Sequence, residues 1–343
     1  MRTVVLTGSS GALGRRVGAA LAASGHHVVG LDHAVPRRPV PGVDHRTIDL
    51  AADALGPSFA GADVLVHLAS VLSGTRDDSD APADVDLARR VLAAAGGAGV
   101  DHVVLVSSAS VYGAWPDNPV PLTEDAPIRP NPGFAFAESR ARIETLAAEH
   151  RHRHAHSTVA VLRPTTAVAE GQGSWMARVL DEAEPVQPGD GDPPVQFLHF
   201  DDLSAAVALA ACRPLDGPYN VAPDGWLAPD AHRALAGTPR IRLPERLVGA
   251  WVGARWRLRL AAAPPEALAL TMHPWVVAND RLRAEGWEPT WTNEEAYVAG
   301  HPAGPWATLS PKRRQELALG AAGAALVGLG VAAGFAVRRL QRR

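Results

Sequence analysis

The run Thr7-Gly8-Ser9-Ser10-Gly11-Ala12-Leu13-Gly14 constrains this chain more than any other segment. It follows an apolar strand at Thr3–Thr7 and opens a helix at Leu13–Ala23. Glycine at 8, 11 and 14 lets the chain turn sharply, lets backbone amides approach an anion and lets helix pack on strand. The start of the helix adds unpaired N–H groups and a partial positive charge, which suit a pyrophosphate. A second strand, His27–Leu31, leads to Asp32, 18 residues past Gly14. A carboxylate there accepts hydrogen bonds from an adenosine ribose and repels a 2′-phosphate, so the pattern favours NAD over NADP. Arg37 and Arg38 lie close by and pull the other way.

The first half of the chain continues this alternation. Strands are expected at Val64–His67, His102–Ser107 and Val159–Leu162, and helices at Asp84–Ala95 and Phe136–Glu149, the last after a break at Pro130–Gly133. Short apolar strands alternating with amphipathic helices predict an α/β, Rossmann-like, doubly wound parallel sheet. Beyond Arg163-Pro164 the pattern fades, then returns with a strand at Gln196–Phe200, a helix at Leu203–Ala211 and Tyr219-Asn220-Val221. The expected organisation is a dinucleotide-binding domain over residues 1–165, with 196–222 returning to it. Residues 166–195 and 223–300, the latter irregular and Trp-rich, form a smaller C-terminal substrate lobe, and 301–316 a linker.

Charge is unevenly placed. Residues 312–343 carry seven cations against Glu316, a net of +6, so the rest of the chain sums to −9 within a formal total of −3. An acidic body argues against nucleic-acid partners, which need clustered cations. The basic tail instead flanks Leu317 to Val337, 21 residues with no charged or strongly polar side chain. As a helix they span roughly 31 Å, the thickness of a bilayer's hydrocarbon core. This predicts one C-terminal transmembrane helix, although its eight alanines and five glycines also suit a buried helix. Met1 to Leu6 is too short an apolar run for a signal peptide, so the body is expected on the cytoplasmic side of the cytoplasmic membrane. Gly330 and Gly334 have the small-xxx-small spacing that pairs membrane helices, which raises a homodimer as one outcome. Cys212, the single cysteine, excludes an intramolecular disulfide and reads as a small buried apolar residue.

The motifs together resemble the extended short-chain dehydrogenase/reductase family, the NAD-dependent epimerase/dehydratase group that includes UDP-galactose 4-epimerase, over roughly residues 1–300. The resemblance rests on Thr7 through Gly14, Asp49-Leu50, His67-Leu68-Ala69 and, above all, Val106-Ser107-Ser108-Ala109-Ser110-Val111-Tyr112-Gly113. Leu162-Arg163-Pro164, His199 to Asp202 and Tyr219-Asn220-Val221 follow in family order. It implies a cofactor site built from Gly8, Ser10, Gly11, Ala12, Leu13, Gly14, Asp32, Asp49, Leu50, Leu68, Ala69 and Arg140, with Ser108 as the hydroxyl that bonds the reacting oxygen. It also implies a sugar or nucleotide-sugar substrate. No metal is expected.

The same resemblance exposes departures. Family catalysis uses Tyr-x-x-x-Lys, in which a cation lowers the phenol pKa so that phenolate takes a proton as hydride leaves. Here Phe136 replaces the tyrosine and Arg140 the lysine, with Glu144 after them. Phenylalanine has no ionisable group, and arginine holds charge without relaying protons. Asp84 stands where the family reads Asn, and Val195 where an arginine binds the substrate diphosphate. Arg255, Arg257, Arg281 and Arg283 read as solvated charges that could bind an anion. Glu138 is a candidate replacement acid or base, while Tyr112 reads as a packed residue. His150, His152, His154 and His156 read as a solvated, basic helix end rather than a metal site. Two functions stay open: an oxidoreductase with an atypical site, or a catalytically silent NAD-binding module tethered to the membrane.

Overall fold

The first strand, β1 (Thr3–Thr7), carries β-branched and leucine residues whose alternation serves both faces of a sheet: Val4 and Leu6 face one layer, Val5 the other. Every central strand repeats this arrangement, so the sheet is covered by helices on both sides. The protein is described here from a computed structural model covering residues 1–71, 80–170, 172–183, 186–189, 191–237, 241–261, 264–301 and 313.

After β1 come α1 (Ala12–Ala23), β2 (His27–Asp32), β3 (Val43–Thr47), α2 (Gly56–Phe59), β4 (Val64–His67), α3 (Ala81–Ala98), β5 (His102–Val106), α4 (Ala135–Arg153) and β6 (Thr158–Pro164). The chain continues through β7 (Thr166–Ala169), β8 (Gln172–Gly173), α5 (Trp175–Ala183), β9 (Val186–Pro188), β10 (Phe197–His199), α6 (Phe200–Cys212) and β11 (Gly217–Val221). It ends with α7 (Pro229–Ala236), β12 (Ile241–Leu243), α8 (Glu245–Arg257), α9 (Asp280–Ala284) and α10 (Asn293–Gly300). Seven parallel strands order as β11-β6-β5-β4-β1-β2-β3. Small sheets join β10, β7 and β8, and pair β12 with β9. Met1–Gly300 forms one compact unit.

One face of the large sheet packs under α1 and α6, through Val17, Leu21, Leu203 and Val207. The other packs under α2, α3 and α4, through Phe59, Val91, Leu92, Ile143 and Ala147. In α1 the buried residues Gly14, Val17, Gly18 and Leu21 recur at helical spacing. Gly99 ends α3 in a left-handed conformation, which its missing Cβ permits.

Two expectations change. Strand β3, unseen in the sequence, is an edge strand whose residues Asp44, His45, Arg46 and Thr47 are largely solvated and so give no apolar run. Residues 223–300 are not irregular: α7, α8, α9 and α10 lie there. The segment Leu317–Val337 and the glycine pair within it lie outside the described residues. Among the described residues no helix is long and apolar enough to cross a membrane.

Candidate active site

In this strand order the connections leave β1 and β4 towards opposite sides, which opens a crevice at their C-terminal ends. Thr7 and His67 end those two strands, so the Gly8 turn and the Leu68-Ala69 segment face each other across it. Gly8 has φ +74 and donates its N–H to Leu31 O at 2.9 Å. A Cβ on Gly14 would lie 2.1 Å from Gly8 O, so only glycine lets α1 start so close to the turn. Asp32 pins the loop: Oδ2 accepts from Ser10 N–H at 2.9 Å, and Oδ1 from His33 N–H at 2.8 Å.

One cavity of about 790 Å³ follows the crevice, within the size range of small-molecule sites. Gly8, Ser10, Gly11, Ala12, Leu13, Gly14, Asp32, Asp49, Leu50, Leu68, Ala69 and Arg140 all line it, together with Ser108 and Phe136. The glycine cradle, the pinned carboxylate and the cavity fit a dinucleotide. Ser174, Met176 and Arg178 also line the cavity, a contribution of α5 and its approach that the sequence did not reveal. Arg37 and Arg38 are exposed and do not line the cavity.

At the far end, Ser108 precedes a short 3₁₀ turn, Ala109–Tyr112, and is buried. Its Oγ accepts from Ser110 N–H at 3.2 Å and from the Ser110 hydroxyl at 2.9 Å, which leaves its own O–H for a substrate atom. Beneath it, Ser107 Oγ donates to Glu144 at 2.6 Å, and Glu144 is ion-paired with Arg163 at 2.6 Å, both buried. Arg163 also donates to Tyr112 Oη at 2.7 Å, and Tyr112 donates to Asn220 Oδ1 at 2.8 Å. Burial pushes the Tyr112 phenol up to about 12, only partly offset by Arg163, so it stays protonated and structural.

Phe136 and Arg140 occupy one face of α4, with the guanidinium 5.1 Å from the ring centre. Arg140 Nη2 reaches Ser70 Oγ at 2.5 Å and Asp84 Oδ2 at 3.1 Å, with both charged side chains buried. Asp84 also accepts from Val71 N–H at 2.8 Å. The two separate departures in the sequence, Asp for Asn and Arg for Lys, are thus one ion pair. Arg140 holds a positive charge at the cavity, but that charge is largely answered. Nearby His67 is buried, 2.8 Å from Thr7 Oγ1, and is held down to about 4, first by burial and then by Arg140. At neutral pH it is therefore a neutral imidazole with a single ring N–H.

Several candidates fall elsewhere. Glu138 is not on the nicotinamide side: its Oε1 accepts from Gly133 N–H at 2.8 Å, closing the start of α4. His150 is not solvated but buried, packed at a tilt against His154 with ring centres 4.6 Å apart, because α4 turns that side towards the α3 layer. Burial lowers it to about 4. Among the described residues no histidine, cysteine or carboxylate cluster could hold a metal. Cys212 is exposed rather than buried, since it ends α6, with Sγ 3.2 Å from His26 Nε2. Val195 bridges to Leu227 and does not line the cavity. Arg283 pairs with Asp224 at 2.5 Å, and Arg281 approaches Asp125 at 3.8 Å. Neither they nor Arg255 and Arg257 line the cavity.

The NAD dependent epimerase/dehydratase family matches residues 4–222, more than half of the chain, and the protein belongs to that family. A 3-diazoavenalumate denitrifying reductase from a Streptomyces species is 31% identical over 307 residues, covering 84% of this chain and 96% of that one. An uncharacterized Mycobacterium tuberculosis protein is 28% identical over 313 residues, covering 86% of this chain and 82% of its own. Among solved structures, the Thermus thermophilus UDP-glucose 4-epimerase in complex with NAD shares the fold. Its TM-score is 0.64 at 22% identity, over 87% of this chain and 97% of that one. So does MoeE5 in complex with UDP-glucuronic acid and NAD, with a TM-score of 0.65 at 21% identity over 87% and 97%. The family is NAD-dependent.

Proposed function

We propose that the protein is an NAD(H)-dependent oxidoreductase that acts on a small molecule without a phenolic acid or base. One observation carries this reading: the glycine cradle, Asp32, Ser108, Phe136 and Arg140 share one cavity. Bound NAD(H) supplies hydride chemistry. The chain's part is to orient: the Gly8–Gly14 turn holds the pyrophosphate, Asp32 the adenosine ribose, Asp49 and Leu50 the adenine side, and Arg140 the nicotinamide ribose. Ser108 donates its hydroxyl to a polar atom of the substrate. Arg178, from the lobe formed by residues 166–195 and 223–300, meets an anionic group on it.

An epimerase removes and returns a hydroxyl proton at one carbon, and residue 136 cannot do that. Reduction of an acceptor that takes hydride without a proton from residue 136 suits the site better. The relative at 31% identity is named a reductase, which supports this direction. Sugars and nucleotide sugars remain the substrate class of several fold neighbours, one of them bound to UDP-glucuronic acid. The second reading, a silent NAD-binding module, draws on the neutralised Arg140.

From the sequence we further propose that Leu317–Val337 anchors the chain in the cytoplasmic membrane, with the NAD-binding body in the cytoplasm. Fractionation tests this: full-length protein stays with membranes through a carbonate wash, and recovery in the wash removes the anchor. Function is tested with full-length protein and NADH deuterated at C4, offered nucleotide sugars and diazo-substituted aromatic acids in turn. Deuterium in a product establishes the oxidoreductase. Tight NADH binding with no transfer to either panel replaces it with the silent module.

A further inference from the structure

The surface of α8 has no role in the site, yet it exposes more large apolar side chains than any other described element. Leu247, Trp251 and Leu258 are 60%, 47% and 68% exposed, and Leu260, just past the helix, is 63% exposed. At about 100° per residue the first three fall within about 40° of one another, a single ridge along the helix. A neighbouring side, about 100° round from the ridge, is anchored, with Val248 and Val252 buried. Cations flank the ridge. Residues 242–260 contain five arginines against Glu245, a net of +4 in a body that is otherwise acidic.

The ridge is also held in place. Arg255 lies over the Trp251 ring at 4.7 Å and donates to Leu260 O at 2.9 Å. Arg259 takes φ 58, the left-handed position where a helix ordinarily ends on glycine. The closing bond from Leu260 N–H to Arg255 O, 2.8 Å, keeps Leu258 and Leu260 both outward. An apolar ridge with an indole and arginine flanks is the composition of a helix that lies in a membrane interface. A second copy fits poorly, because a two-fold contact would set one arginine cluster against the other.

We propose that the α8 surface docks on an anionic phospholipid bilayer, with Leu247, Trp251, Leu258 and Leu260 in the headgroup region and Arg246, Arg257 and Arg259 on lipid phosphates. The claim is separate from the anchor reading of residues 317–337. Adjacent element contacts run from α8 to the 3₁₀ turn Pro265–Thr271 and on to α5, which lines the cavity, so docking sets the substrate side of the site near the lipid surface.

The test uses full-length protein carrying Cys212→Ser and Leu247→Cys, labelled at residue 247 with an environment-sensitive fluorophore and reconstituted into vesicles. In vesicles containing phosphatidylglycerol, emission should rise at least threefold over detergent solution and be quenched by headgroup nitroxides. With phosphatidylcholine alone, or with Arg246→Glu and Arg257→Glu added, the rise should fall at least fivefold. A water-exposed label on protein that remains vesicle-bound overturns docking and leaves the anchor standing. A label protected in detergent solution in proportion to protein concentration overturns it in favour of a second copy. Protection that needs an added soluble protein overturns it in favour of a protein partner.

Discussion

The two ends of the cavity are built by different means. At the cofactor end the contacts are made by backbone: Gly8 and Gly14 pack so closely that a single methyl group would collide with Gly8 O. At the proposed catalytic end, around Ser108 and Phe136, they are made by side chains. Phe136 fills a wall, and Arg140 is retained by Asp84 and Ser70. Backbone geometry tolerates little revision, because any Cβ must displace main chain. A reactive side chain can be exchanged for an inert one of similar shape at small cost to the fold. Below the catalytic end sits a third kind of structure, the buried Glu144–Arg163 pair, whose charges serve packing.

The sharpest test of that division removes a charge from the supporting layer. Glu144→Gln leaves Arg163 buried without its counter-ion and should cost about 3–5 kcal/mol of stability. Urea unfolding with NAD absent measures it. A small loss would mean that Arg163 finds a new partner, and that the layer is more adaptable than the catalytic end above it.

Acid probes two buried histidines, neither of which lines the cavity. His67 and His150 are held down to about 4, mainly by burial, whereas exposed imidazoles titrate near 6.5. Above pH 6.5 neither folded nor unfolded chain is protonated there, and the histidines contribute nothing to the pH dependence. Between 6.5 and about 4 the unfolded chain takes up protons that the folded one refuses, so stability falls as pH drops, by up to about 3 kcal/mol per imidazole. Unfolding midpoints at pH 7 and pH 4.5 report the fall, and His150→Phe should reduce it, with His67 and the likewise lowered His102 carrying the rest. An undiminished fall in that variant would place the buried proton acceptor elsewhere.

How much of this was legible in the sequence follows the same division. The strands β1, β2, β4, β5 and β6 and the glycine turn announce themselves because apolar runs and glycine spacing are local properties. The residues that the family resemblance assigns to the cofactor were named from motif likeness rather than from local pattern, and all of them line one cavity. Strand β3 hid because an edge strand with solvated side chains has no apolar signature. The Asp84–Arg140 pair hid because its members are far apart in sequence and each looks like an isolated substitution. Complementary charges at the two changed positions were the signal. Cys212 and His150 were misjudged for one reason: burial near a helix end depends on which neighbour covers that turn, and composition does not say.

At the cofactor end, Gly14→Ala should reduce NAD affinity at least 100-fold, about 2.7 kcal/mol, because the new Cβ meets Gly8 O at 2.1 Å and displaces the turn. Isothermal titration checks it, and a loss under fivefold would show that the turn adapts as side chains do. Asp32→Ala should act more mildly. If the carboxylate reads the ribose diol, the wild type binds NAD at least tenfold tighter than NADP, about 1.4 kcal/mol, and the variant narrows that gap. Equal affinities in the wild type would mean that Arg37 or Arg38 reaches the 2′-phosphate.

The smallest effect is expected where family logic suggests the largest. Phe136→Tyr restores a phenol to the cavity wall, yet a phenol takes part in proton transfer near neutral pH only when a cation lowers its pKa. The cation at hand, Arg140, is 3.1 Å from the Asp84 carboxylate and buried with it, so its field at residue 136 is largely cancelled. Phe136→Tyr alone, and with Arg140→Lys, should therefore change hydride transfer by less than threefold, about 0.6 kcal/mol. Adding Asp84→Asn leaves the cation unanswered, and only this triple variant should gain a rate, one that falls with rising pH as the phenol that must give its proton to the reduced substrate ionises. Single-turnover transfer from deuterated NADH, followed across pH, separates the cases. A tenfold gain from Phe136→Tyr alone would show that Arg140 already acts on residue 136, and that the catalytic end lost one atom of its chemistry rather than its electrostatics.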